Sequence, residues 1–190
     1  MTELYSSRLS PLREEAAKLL KKQDRIIIAI DGGAASGKST SALNLSYLWG
    51  CSVIHMDDFF LPPELRTEER LKEPGGNVHY ERFEEEVLPF LRGNSSFSYR
   101  LFSCKKMDFD GNIPVKPSPI IVIEGAYSHH PRFGDYADIK VFADVTPDEQ
   151  ASRIIMRNRA NAESFFSRWI PMENRYFETF GIREKANIII

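Results

Sequence analysis

Residues 32–39 read Gly-Gly-Ala-Ala-Ser-Gly-Lys-Ser, which fits G-x-x-x-x-G-K-[ST] at every fixed position. The flanks fix its meaning. A β-branched run, residues 25–31 (RIIIAID), precedes it and reads as a strand buried on both faces. Residues 38–48 follow as a helix. A strand, a glycine-rich turn and a helix N-terminus together make an anion cradle. Glycines let the backbone N–H groups turn inward, and the helix start adds free donors and a favourable dipole. The pattern therefore predicts a bound nucleoside triphosphate held by Gly32, Gly33, Ala34, Ala35, Ser36, Gly37, Lys38, Ser39 and Thr40. Lys38 would reach the β and γ phosphates, and the Ser39 hydroxyl would ligate magnesium. ATP is the expected nucleotide. The Asn-Lys-x-Asp sequence that reads guanine is absent from the chain. The loop alone does not separate a kinase from an ATPase.

Further apolar runs fall at 52–56, 119–124, 139–144 and 186–190. Helical spacing falls between them, at 147–159 and 164–180, with Pro171 expected to break or kink the latter. An earlier helix opens at Ser10-Pro11, with Ser10 as its cap, and ends near Lys22-Gln23. Shorter helical stretches are read at 64–73 and 80–91. Alternation of buried strands and helices predicts an α/β fold of the P-loop NTPase type, three-layered, with a mostly parallel sheet. Asp110-Gly111 is read as the turn of a small β-hairpin appendage spanning 97–116. The 190 residues, 42% hydrophobic, suffice for a single domain over 1–190.

Composition narrows the partners. A net charge of −2 with basic residues spread along the chain argues against a nucleic-acid binder. No apolar run approaches the roughly 20 residues of a membrane span. Cys51 and Cys104, far apart, fit neither a metal site nor a disulfide framework, so a cytoplasmic setting is expected. A small-molecule substrate is the expected partner, and homo-oligomerisation stays open.

In such sheets ligands bind beyond the carboxyl ends of the strands. Three predicted strands end in acids: Asp31, Asp57-Asp58 and Glu124. Asp57 or its neighbour Asp58 is the candidate base for an acceptor hydroxyl, and only a family resemblance favours Asp57. Glu124, after four apolar residues, would hold magnesium through water or polarise the hydroxyl. Asp57, Lys38 and Glu124 form the candidate catalytic set; Ser39, Asp57 and Glu124 form the candidate metal set. Arg153 and Arg157, four apart, would share one helix face and close over phosphate as part of a lid at about 153–165, with Arg159 close by. The aromatic run Phe165, Phe166, Trp169, Tyr176, Phe177 and Phe180 reads as core rather than as a stacking platform.

Taken in order, GGAASGKST, HMDDFF (55–60), GGNVHYERF (75–83), IIVIEGAY (120–127), SRIIMRNR (152–159) and ANIII (186–190) resemble the uridine kinase-like branch of the P-loop kinases, a group that includes phosphoribulokinase and pantothenate kinase. The resemblance runs from Arg25 to Ile190. It implies transfer of the ATP γ-phosphoryl group to a hydroxyl of a nucleoside-like or other small metabolite. It aligns the family's catalytic Asp with Asp57, its Glu-Gly acid with Glu124, and its lid arginines with Arg153 and Arg157. Where uridine kinases place an Asp that grips ribose, this chain has His79. Where their hairpin has Tyr-Asp-Phe and then a His, it keeps Tyr99 but has Arg100 and Cys104. Asp58, His79, Tyr99 and Arg100 are thus the expected substrate contacts. Uridine and cytidine are expected to be poor substrates, and Arg100 suggests an anionic one. Two other classes stay open: an ATP-binding or ATPase module without kinase activity, and a nucleotide kinase gripping acceptor phosphate through arginines such as Arg70, Arg82 and Arg100.

Overall fold

The computed structural model describes residues 8–190. Five parallel strands form the central sheet: β1 (Ile26–Gly32), β2 (Ser52–His55), β5 (Ile120–Glu124), β6 (Ile139–Ala143) and β7 (Ile188–Ile189), in the order β2-β5-β1-β6-β7. Alternate side chains of one strand feed opposite cores, as a period of two demands. Ile26, Ile28 and Ile30 of β1 join Val122, Val141 and helices α1 (Ser10–Leu19) and α2 (Lys38–Trp49) on one face. On the other face Ile27, Ile54, Ile121 and Ile123 pack with Phe59, Phe83, Tyr99, Tyr127 and Tyr176. That layer is built by α3 (Glu68–Lys72), α4 (Tyr80–Glu86), the hairpin β3–β4 (Phe97–Ser103 and Asp108–Val115) and the C-terminal helix. The outcome is a three-layer α/β fold with a parallel sheet and an antiparallel two-stranded appendage.

Four local expectations need correction. Leu9, not Ser10, holds the cap position of α1. The 64–73 stretch splits into a 3₁₀ turn at Pro63–Leu65 and α3, whereas the irregular end expected of the 80–91 helix at Pro89 is present as a separate 3₁₀ turn, Leu88–Phe90. Asp110-Gly111 is not the hairpin turn; it lies inside β4. The register steps from Arg100↔Asn112 to Phe102↔Phe109, so β4 carries an extra residue there, with Gly111 at φ 85°. A glycine with positive φ serves a bulge as readily as a turn. The chain instead reverses at 104–107, where Met107 takes φ 56°. Pro171 does not end its helix. Helical structure runs through 162–180, made of α6 (Ala162–Ser164), a π turn at Phe165–Trp169 and α7 (Ile170–Phe180). The wider π turn lies just ahead of the proline, which has no N–H to donate. Between β6 and this helix runs α5 (Pro147–Asn158), capped by the Thr146 side chain.

Candidate active site

β1 runs straight into the phosphate loop. A Cβ on Gly32, at φ 143°, would lie 2.3 Å from the Ala143 carbonyl oxygen, so only glycine fits against β6 there. Gly37 caps α2. The Lys38 ammonium folds back onto the loop and donates to the Gly33 carbonyl at 2.8 Å. The Ser36 hydroxyl, in the same loop, is buried without a hydrogen-bond partner.

Above the loop lies a cavity of about 480 Å³. Lys38, Ser39, Asp57, Glu124 and Arg157 all line it. Glu124, buried at the end of β5, accepts from Ser39 Oγ at 3.1 Å and meets His55 Nδ1 at 2.6 Å. That bond raises the His55 pKa above its ordinary value. Asp57 sits in the 3₁₀ turn Met56–Phe59 that follows β2. Its carboxyl is accessible from the cavity but hemmed in by protein, which pushes its pKa up against the pull of Lys38. Asp58 is turned away, accepting from the buried Tyr99 hydroxyl at 2.8 Å. Of the two neighbours, Asp57 is therefore the one the cavity reaches.

Ser39, Asp57 and Glu124 suit magnesium: a hydroxyl and two carboxylates are hard oxygen donors. Among the described residues no three His, Cys, Asp or Glu side chains converge as a metal site of their own. Magnesium commonly completes its shell with phosphate oxygens and water, so this donor set fits it.

Other expected site residues fall elsewhere. Arg153 stands outside the cavity, behind the loop, donating to the Ala35 and Ser36 carbonyls at 3.0 and 3.2 Å and pairing with Glu149. It and Arg157 lie one helical turn apart, enough for one to brace the loop while the other faces the cavity. His79 caps α4, contacts Glu81 at 3.2 Å and does not line the cavity. Arg100 is exposed and pairs with Glu86 at 2.5 Å, also outside it. Arg70 is held by Glu81, and Arg82 is buried against Glu86 and the Asp58 and Arg100 carbonyls. Asp31 is wholly buried and accepts from Gly32 N, Tyr127 N, His129 N and the Tyr176 hydroxyl, so it braces the strand ends. Those bonds also hold Tyr127 at φ 75°, an uncommon conformation for a bulky residue.

Sequence reasoning missed Glu173, Asn77, Arg66 and Arg168, all lining the cavity. Phe165 and Trp169 line it too, so the aromatic run divides: Tyr176 is buried in the core and Phe177 and Phe180 pack against it. Glu173 accepts from the Ala34 amide at 2.8 Å, and burial, opposed by Lys38, raises its pKa from the ordinary 4.5 to about 7. Between those two values the folded state keeps a proton that the unfolded chain has released. Stability should thus fall as pH rises through that window, by on the order of 3 kcal/mol at about 1.4 kcal/mol per unit. Melting curves from pH 5 to 8 should show wild type losing on the order of 5 °C relative to Glu173→Gln. Parallel curves for the two proteins would remove this role.

The comparisons with known proteins agree with this architecture. No family model matches the chain. Uridine kinases of Chlamydia pneumoniae and Clostridium perfringens are each 26% identical to it, over 87% of this chain and 81% and 86% of theirs. A bifunctional alpha-galactosidase/sucrose kinase of Mediterraneibacter gnavus is 26% identical over 99% of this chain, which spans only 23% of that protein. Among solved structures, one described as a possible uridine kinase from Bacillus stearothermophilus superposes with a TM-score of 0.70 at 20% identity, covering 95% of this chain and 99% of that one. A candidate fructose transport system kinase from Silicibacter superposes at 0.71 and 18%, covering 93% and 97%. In sequence the chain is similar to uridine kinases, and in fold it is similar to solved structures described as uridine and fructose transport system kinases.

Proposed function

We propose that this chain uses ATP and magnesium to transfer the γ-phosphoryl group to a hydroxyl of a small metabolite. One observation carries the reading: a single cavity joins Lys38 and Ser39 of the phosphate loop to Asp57 and Glu124 at neighbouring strand ends. The loop amides and Lys38 hold the triphosphate, and Arg157 offsets its charge from the far wall. The acceptor oxygen bonds to the γ-phosphorus as the bond to the β,γ-bridging oxygen breaks. ADP leaves with that electron pair, and Asp57 takes the hydroxyl proton. Magnesium, held by Ser39 and Glu124 with Asp57 nearby, would neutralise phosphate charge. A carboxylate beside a cavity with room for a second ligand suits a hydroxyl acceptor better than a pure ATPase, which needs no such room. ADP release measured against nucleosides, sugars, vitamins and their phosphates tests the reading. Stimulation by one acceptor class supports it, and an acceptor-independent rate across the library counts against it.

Uridine should be a poor acceptor. His79 and Glu81 occupy each other, so the position that would supply a ribose-gripping carboxylate sends none into the cavity. Losing two such bonds costs about 1–3 kcal/mol each. A kcat/KM for uridine above about 10⁴ M⁻¹s⁻¹, ordinary for a cognate substrate, would contradict this.

A further inference from the structure

Resting on that kinase reading, we infer that the acceptor is an anionic hydroxyl compound, bearing a carboxylate or a phosphate, and that Arg66 selects it. Three guanidinium groups outside the cavity already have a carboxylate. Arg70 meets Glu81 at 2.9 Å, Arg100 meets Glu86 at 2.5 Å, and Arg132 meets Glu84 at 2.9 Å. Arg66 has none among the described residues. It lines the cavity, half-buried, and its Nε donates to the Leu61 carbonyl at 2.7 Å. That bond fixes the side chain and leaves both Nη groups for a ligand. A pinned guanidinium with two free N–H edges matches a carboxylate or phosphate bidentately.

Its position identifies the acceptor end. Arg66 and Asp57 both act electrostatically on Cys104, in the turn of the hairpin, and Cys104 lines the same cavity. Two further side chains line it with polar atoms still free. Asn77 is buried and its side chain bonds to Tyr127, but its Oδ1 has no partner and can accept from a hydroxyl. Arg168 has no carboxylate either among the described residues; its guanidinium lies 4.7 Å from the Trp169 ring. A neutral acceptor closing over Arg66 would shut a cation from water with nothing to balance it, which is costly. An anion balances it, and Arg66 in turn offsets the repulsion that Asp57 and Glu124 exert on any negatively charged acceptor. The anionic preference read at first from Arg100 thus passes to a different residue.

Matched series decide it: glycerol, glycerate and glycerol 3-phosphate; ribose, ribonate and ribose 5-phosphate; glucose, gluconate and glucose 6-phosphate, each with magnesium and ATP. One anionic arm should exceed the neutral arm by at least about 30-fold in kcat/KM, a usual scale for a lost charged hydrogen bond, and the better arm tells carboxylate from phosphate. Arg66→Gln should raise the acceptor KM by a similar factor while the KM for ATP moves less than about threefold, and Arg66→Lys should recover part of the loss. Should Arg66→Gln not fold, Arg66→Lys alone should still raise the acceptor KM several-fold. Neutral members used as well as anionic ones, or an acceptor KM untouched by both variants, overturns the inference and leaves the kinase reading standing. No phosphorylated product from any arm removes both.

Discussion

Lys38→Ala should abolish productive ATP use, lowering kcat/KM by at least about a thousandfold. The ammonium is the only lysine charge lining the cavity among the described residues, and removing a cation that neutralises transferring phosphate costs several kcal/mol. The fold should survive. In the structure this side chain makes one hydrogen bond, to the Gly33 carbonyl, worth about 1 kcal/mol. Circular dichroism and a melting temperature within a few degrees of wild type would show the loss to be chemical. Turnover near the wild-type rate would defeat the mechanism.

The second large effect belongs to Asp57. Asp57→Asn should still bind ATP, measured by fluorescence or calorimetry, yet lose at least about a hundredfold in kcat, the usual scale for an acid–base group. Asp58→Asn is the control. Its carboxylate is engaged by the Tyr99 hydroxyl at 2.8 Å, so that variant should lose stability more than chemistry. If Asp58→Asn shows the rate loss and Asp57→Asn does not, the base is one residue further along. If neither matters, Glu124 takes the role.

The loop and the sheet were legible because both rest on local rules. Spacing fixes the cradle at 32–39, and the isoleucine runs at 26–28 and 120–123 can only be strands covered on both faces. The hairpin turn was misread because Asp110-Gly111 satisfies a bulge and a turn by the same positive φ. The acceptor half of the cavity was less legible, since its lining comes from segments far apart in sequence: Arg66, Asn77 and Cys104, then Arg168 and Glu173 more than sixty residues further on. No local pattern tells which arginine will find a carboxylate. Arg100 found Glu86, fourteen residues back, and Arg66 found none among the described residues. Helical spacing put Arg153 and Arg157 on one face but could not tell that one of them would spend its donors on the loop's own carbonyls.

The central claim is transfer of phosphate to an acceptor rather than to water. Phosphorus NMR of the products, with the acceptor that most stimulates ADP release, measures this directly. The account predicts a new phosphate-ester resonance accumulating one-for-one with ADP, with little inorganic phosphate. Stoichiometric inorganic phosphate and no ester would contradict it.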